Sequence, residues 1–246
     1  MKQRALFLDR DGTLVHPRHY PSRPEDLVVY EGIGPELCRL QEAGFRVVVI
    51  TNQSGIARGY FTEDDLQRMH DHLARQLAPA GVRVDGVYYC PHHPEGVVHE
   101  LAVACGCRKP EPGMLLQAAA ELDLDLRRSW VLGDILDDVQ AGNQAGCHTI
   151  LIDLGTESLP TSPGRRPAFV ARDTLHALQI VAAVEGVSLG EAPALDYLPA
   201  SWQLVGMTDD GGRRTVGENG RGVTRDPARE AQGVVVAERG AHDDAG

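Results

Sequence analysis

The sequence predicts an α/β protein, a Rossmann-like parallel sheet flanked by helices. Three observations predict it. First, Leu6–Leu8, the β-branched run Arg46–Ile50 and Trp130–Leu132 read as short buried strands. Second, each run passes directly into polar residues: Asp9-Arg10-Asp11-Gly12-Thr13, Thr51-Asn52-Gln53-Ser54 and Gly133-Asp134. Third, helical patterns separate the runs, the alternation that builds a parallel sheet. Ligands of such sheets bind outside the carboxyl ends of the strands. The polar segments at those ends are therefore the candidate site.

Taken in order, the first strand ends at Asp9. Gly12 breaks it, and Pro17, Pro21 and Pro24 keep His16–Glu25 irregular. This loop carries Arg18, His19 and Tyr20 and is expected to face a substrate. Gly34-Pro35 opens a helix carrying Leu37 and Leu40, closed by Gly44. After the second strand, Gly55 and Gly59 let the backbone bend close to a ligand. Thr62 caps a helix with Leu66, Met69, Leu73 and Leu77 on one face, stopped by Pro79 and Gly81. Val84 to Tyr89 reads as the third strand. Pro112-Gly113 begins a helix to Leu122, and a further helix runs from Gly133-Asp134 to Ala145. His148–Ile152 is the fifth strand and Ala168–Arg172 an edge strand. Asp173 caps a last helix that ends by Gly186. Beyond it, residues 187–246 lose periodicity and are expected to form a largely disordered extension. Residues 1–186 are then the folded domain.

Composition narrows the function. The 246 residues carry a formal charge of −11. Such a surface argues against nucleic-acid and anionic-membrane binding. Neither a signal peptide nor an apolar run long enough to span a bilayer is legible, so a cytoplasmic location and reduced cysteines are expected.

Two constellations carry chemistry. Asp9 and Asp11 are two apart in an extended segment and so face one ligand together. With Asp134 they could supply the few oxygen ligands Mg²⁺ accepts, carboxylates and a main-chain carbonyl beside water and phosphate. Thr51 and Asn52 can donate to phosphate oxygens. Downstream, Cys90-Pro91-His92 and Cys105-Gly106-Cys107 bracket a loop. Four such ligands close a tetrahedral structural zinc site, which a loop without its own core requires. Disulfide pairing is the alternative, and it leaves His92 unexplained. His93 and His99 are the substitutes should His92 not be the nitrogen ligand. Arg108 and Lys109 follow the last cysteine directly, two cations at the base of the zinc loop in an acidic chain. A lysine there would neutralise charge that develops on a transferring phosphoryl group.

Asp9-x-Asp11-Gly12-Thr13, Thr51-Asn52, Lys109 and Gly133-Asp134 with Asp138 resemble, in order, the four motifs of the haloacid-dehalogenase-like phosphatases. The match spans residues 5–186. Within that superfamily the chain looks like the heptose 1,7-bisphosphate 7-phosphatase family. The segments Thr51–Gly59, Tyr88–Pro94 and Cys107–Pro110 carry that likeness. Histidinol-phosphate phosphatases share the zinc loop, but usually have Asp-Gly where this chain has Ser54-Gly55. The resemblance implies a Mg²⁺-dependent phosphatase without a large cap domain, acting on a small phosphorylated sugar; a monomer is expected. It implies Asp9 as nucleophile and Asp11 as acid and base. It implies Mg²⁺ on Asp9, Asp134 and the Asp11 carbonyl, and zinc on Cys90, His92, Cys105 and Cys107. Thr51, Asn52, Gln53, Ser54, Arg108 and Lys109 would bind substrate. One departure stands out: the family commonly has Lys where this chain has Ile135.

Overall fold

A computed structural model describes residues 2–188 and 193–203. Its centre is a six-stranded, wholly parallel sheet. In chain order the elements are β1 (Arg4–Leu8), α1 (Ile33–Glu42), β2 (Phe45–Asn52), α2 (Glu63–Leu77) and β3 (Gly86–Cys90). They continue with α3 (Gly113–Glu121), β4 (Trp130–Gly133), α4 (Leu136–Ala145), β5 (His148–Ile152), β6 (Phe169–Ala171) and α5 (Thr174–Val184). A short α6 (Ala200–Gln203) follows. The sheet order is β3-β2-β1-β4-β5-β6. The order reverses at β1, whose neighbours are β2 and β4, and a crevice opens at such a switch point.

Alternation along the strands builds two cores. Leu6 and Leu8 of β1, with Val47 and Val49 of β2, pack under Leu37 and Leu40 of α1, Leu66, Met69 and Leu73 of α2, and Leu178 and Val181 of α5. Ala5 and Phe7, with Val48 and Ile50, face Met114, Leu115 and Ala118 of α3 and Ala141 of α4. Central strands buried on both faces explain their continuous apolar sequence. The expected α/β class, strand order along the chain and Thr62 cap hold, and the Thr62 side chain accepts from Asp65 N–H.

The sequence boundary at residue 186 falls just past α5. Most of the expected extension 187–246 lies outside the described residues. Of its described residues, 193–203 pack back on the sheet. Trp202 is buried among Leu136, Val139, Leu151 and Val170. Tyr197 donates to Asp153 Oδ2 at 2.8 Å, and Ala194 O lies 2.7 Å from His176 Nε2. Among the described residues no helix is long and apolar enough to cross a membrane.

Candidate active site

The site forms where β1, β2 and β4 end. Asp9 N–H donates to Leu132 O at 2.9 Å, extending the β1–β4 ladder one residue past β1. That pairing fixes Asp9 beside Gly133-Asp134. Gly12 has φ of 89°, a conformation glycine adopts freely, and a Cβ there would collide with the Asp134 carboxylate. The two strand-end loops thus close on each other.

Carboxylate oxygens of Asp9, Asp134 and Asp138 lie within 4.8 Å of one another. Lys109 stands among them, 2 % exposed. Its Nζ donates to Asp9 Oδ1 at 2.5 Å and to Ile50 O at 3.1 Å, and lies 2.5 Å from Asp138 Oδ1. The ammonium thus makes two hydrogen bonds and a further ion pair with Asp138. Burial alone would lower the Lys109 pKa, but Asp138 and Asp9 outweigh it and hold the ammonium above its usual value. The acids shift the other way. Burial, with the charges of Asp138 and Asp11 added, pushes Asp9 up to about 7 despite Lys109. Burial, then Asp9 and Asp138, pushes Asp134 up to about 8. Three acids against one ammonium leave a surplus of negative charge in a poorly solvated pocket. That surplus is the chemistry of a hard-cation site, and Mg²⁺ fits it.

Asn52 does something the sequence did not reveal. Its Nδ2 donates to Lys109 O, and Lys109 N–H donates back to its Oδ1, both at 3.1 Å. The amide grips the Lys109 main chain and so sets where Nζ can reach. Thr51 is buried, and its hydroxyl accepts from Gln53 Nε2 at 2.8 Å, which leaves its proton to donate elsewhere. Gln53 Nε2 also lies 3.2 Å from Asp11 Oδ2. Ser54 is buried in the same loop. Arg108 turns toward the Cys–His loop, with Nη1 3.5 Å from His92 O. Asp11 is not in the carboxylate cluster. Its Oδ2 accepts from the guanidinium of Arg10, a fully buried side chain. The irregular loop does approach the site loops, its Tyr20 ring 4.8 Å from Tyr60.

The second cluster lies behind Lys109. Sulfur–sulfur distances are 3.5 Å for Cys90–Cys105 and 3.2 Å for Cys105–Cys107. His92 Nδ1 is 3.6 Å from Cys90 Sγ and 3.4 Å from Cys107 Sγ. Zinc–sulfur bonds of about 2.3 Å in a tetrahedron place ligands about 3.7 Å apart. The four donors fit that cage with slight expansion. None of the five cysteines is in a disulfide, and His93 turns instead to Arg58, at 3.1 Å. The cage touches the site directly. Cys90 pairs in register with Asn52, and Gln53 N–H donates to Cys90 O at 2.7 Å.

A parallel sheet whose strand-end acids surround one buried lysine defines a haloacid-dehalogenase-like hydrolase. A family model described as "HAD-hyrolase-like" matches residues 106–177. The chain is 44 % identical over 152 residues to a D-glycero-beta-D-manno-heptose-1,7-bisphosphate 7-phosphatase of Yersinia pestis, covering 61 % of this chain and 81 % of that one. The enzyme of the same name from Escherichia coli K12 is 43 % identical over 157 residues, covering 63 % and 82 %. A crystal structure of D,D-heptose 1,7-bisphosphate phosphatase from B. bronchiseptica, complexed with magnesium and phosphate, superposes with a TM-score of 0.63 at 34 % identity. It covers 74 % of this chain and 99 % of that one. The chain belongs to the D-glycero-beta-D-manno-heptose-1,7-bisphosphate 7-phosphatase family, and it is a phosphatase.

Proposed function

We propose that this phosphatase removes the 7-phosphate of D-glycero-D-manno-heptose 1,7-bisphosphate through an aspartyl-phosphate on Asp9. The observation that carries the reading is the buried Lys109 ammonium, 2.5 Å from Asp9 Oδ1 at the mouth of an acid cluster. A carboxylate attacking a phosphate dianion meets like charge, about 4 kcal/mol per charge pair at ~4 Å and an effective dielectric of 20. Lys109 offsets that repulsion where charge develops. Mg²⁺, held by Asp9, Asp134 and the Asp11 carbonyl, would neutralise the phosphoryl oxygens when bound.

In the first half-reaction an Asp9 oxygen attacks phosphorus and the bond to the sugar oxygen breaks. Asp11 gives that leaving oxygen a proton. In the second, Asp11 takes a proton from water as the water oxygen attacks the phosphoryl group on Asp9. Phosphate leaves and the Asp9 carboxylate is restored. Splitting one displacement into two is the gain of covalent catalysis. Thr51, Gln53 and Ser54 line the phosphate loop, Arg108 and Lys109 supply positive charge, and Asn52 serves by fixing Lys109. Cys90, His92, Cys105 and Cys107 hold a structural zinc, since four protein ligands leave no open position.

The test is phosphate release with Mg²⁺ from both anomers of the heptose bisphosphate, fructose 1,6-bisphosphate and histidinol phosphate. A heptose anomer should exceed the other substrates at least tenfold in kcat/KM. Preference for histidinol phosphate would overturn the substrate assignment. Asp9→Asn should keep the fold and abolish turnover; phosphate release at the wild-type rate would overturn the covalent mechanism.

A further inference from the structure

Arg10 lies between the two catalytic acids in sequence, yet its side chain is wholly buried. Alternation along an extended chain sends it to the opposite side from Asp9 and Asp11. It nevertheless curls back to its neighbour. Nε and Nη2 reach the same oxygen, Asp11 Oδ2, at 3.1 and 2.7 Å. Nη2 also donates to Gln53 Oε1 at 3.1 Å, and Gln53 Nε2 lies 3.2 Å from Asp11 Oδ2. One carboxylate oxygen therefore receives three donors. The other, Oδ1, is shielded and has no protein partner. Burying a guanidinium costs several kcal/mol unless it is paired. Nothing in packing requires a cation here: the neighbouring His70 is buried too, and its neutral ring is disfavoured from charging partly by Arg10 itself. A hydrophobic residue would fill the space without that cost. What the cation supplies is a fixed Asp11.

We propose that Arg10, with Gln53, is a positioning residue for proton transfer. It pins Oδ2 of Asp11 so that Oδ1 is presented to the reacting oxygen. The inference rests on Asp11 as the acid and base. In the forward step the proton leaves Asp11 Oδ1 as the new O–H bond forms on the departing alcohol. In the return step Oδ1 takes the proton of the attacking water. A carboxylate anchored at one oxygen makes both transfers from one orientation, and preorganisation of this kind governs the efficiency of acid–base groups.

p-Nitrophenyl phosphate separates the steps, because its leaving group departs without a proton whereas water attack on the phosphorylated Asp9 still needs Asp11. In Arg10→Met the initial burst of p-nitrophenolate should keep its wild-type rate within about threefold, and steady-state turnover should fall about 10²-fold. With the heptose bisphosphate both phases should slow by that amount, with KM changed less than threefold. Arg10→Lys keeps the charge and loses the fork, so it should recover less than a tenth of the lost rate. Gln53→Leu removes one donor without leaving a buried charge unpaired; whatever its phosphate contact contributes to both phases, the ratio of steady-state turnover to burst rate should fall about tenfold, which keeps the test open if Arg10→Met does not fold. Asp11→Asn is the control, and it should keep the burst and lose turnover. If Asp11→Asn loses the burst, the acid–base reading of Asp11 fails. If Asp11→Asn behaves as expected but Arg10→Met turns over near the wild-type rate, or loses the burst as well, the positioning role is overturned. Full recovery by Arg10→Lys overturns it too.

Discussion

Removing one carboxylate of the acid cluster should stabilise the metal-free protein, provided the pH is high enough. Asp9 and Asp134 have unfolded values near 3.8 and folded values pushed up to about 7 and about 8. For an acid raised on folding, the native state binds more protons than the unfolded chain. Its stability is then full below about pH 4 and falls as pH rises toward the folded value. The loss is about 1.4 kcal/mol per pH unit for each group. Between pH 5.5 and pH 8, Asp9 gives up about 2 kcal/mol and Asp134 about 3 kcal/mol. For a domain of this size 1 kcal/mol moves Tm by roughly 2–4 °C, so a fall of about 10 °C or more is expected. Asp134→Asn removes the larger part. Metal-free Asp134→Asn should melt several degrees above the metal-free wild type at pH 8, by a margin that narrows by about half at pH 5.5 and closes only near pH 4. Mg²⁺ should raise the wild-type Tm at pH 8 and leave Asp134→Asn nearly unmoved, because binding the native state alone is what stabilises. Thermal unfolding of both proteins at the two pH values, with chelator or with Mg²⁺, checks this. An Asp134→Asn protein no more stable than wild type at pH 8 without metal would refute the crowded-acid account of the site.

Three further outcomes follow from the same geometry. Asn52→Ala should cut kcat about 10²-fold through a displaced Lys109, with KM nearly constant; a rise in KM with kcat unchanged would make Asn52 a substrate contact instead. Elemental analysis should find one zinc per chain, and stripping it should cost at least tenfold in activity and expose residues 91–107 to protease; a fully active zinc-free protein would remove the cage from the mechanism. His70, buried and pushed down to about 3, must stay neutral in the fold while its unfolded value is near 6.5. Stability should therefore fall as pH drops below 6.5, by about 2 kcal/mol at pH 5, and urea unfolding of His70→Phe at pH 7 and pH 5 should show that slope reduced.

The strands were legible because burial on both faces leaves an unbroken β-branched or apolar run, as in Val47–Ile50. The acids were legible because two such runs, Leu6–Leu8 and Trp130–Leu132, passed directly into Asp9 and Gly133-Asp134. What local sequence cannot show is which partner a side chain takes. Asn52 in a strand-end Thr-Asn pair reads as a phosphate donor, and only the register of Asn52 with Cys90 brings it against the Lys109 peptide. Asp138 lies four residues past Asp134, but Asp134 precedes the extended N-cap Ile135 and is not on α4, and the contact of Asp138 with Lys109 joins residues far apart in the chain. Residues 193–203 had a signal of their own. Trp202 is one of only two tryptophans in the chain, and a lone tryptophan in a polar stretch argues for a buried anchor.

Lys109 itself explains what the Cys–His cage does in this hydrolase. The residue belongs to a loop, not to the sheet, and an ammonium on a loop gains most by staying in water. Burying it costs several kcal/mol, recovered only if its carboxylate partners are met with good geometry. Two anchors hold it there. Asn52 fixes its peptide from the end of β2, and Cys107, two residues earlier, belongs to the cage. The cage in turn includes Cys90, the last residue of β3 and the register partner of Asn52. The sheet thus holds Asp9 and Asp134, while the cage and Asn52 together carry the opposing charge to them. Without either anchor, Asp9, Asp134 and Asp138 would repel one another with no cation of the protein's own between them.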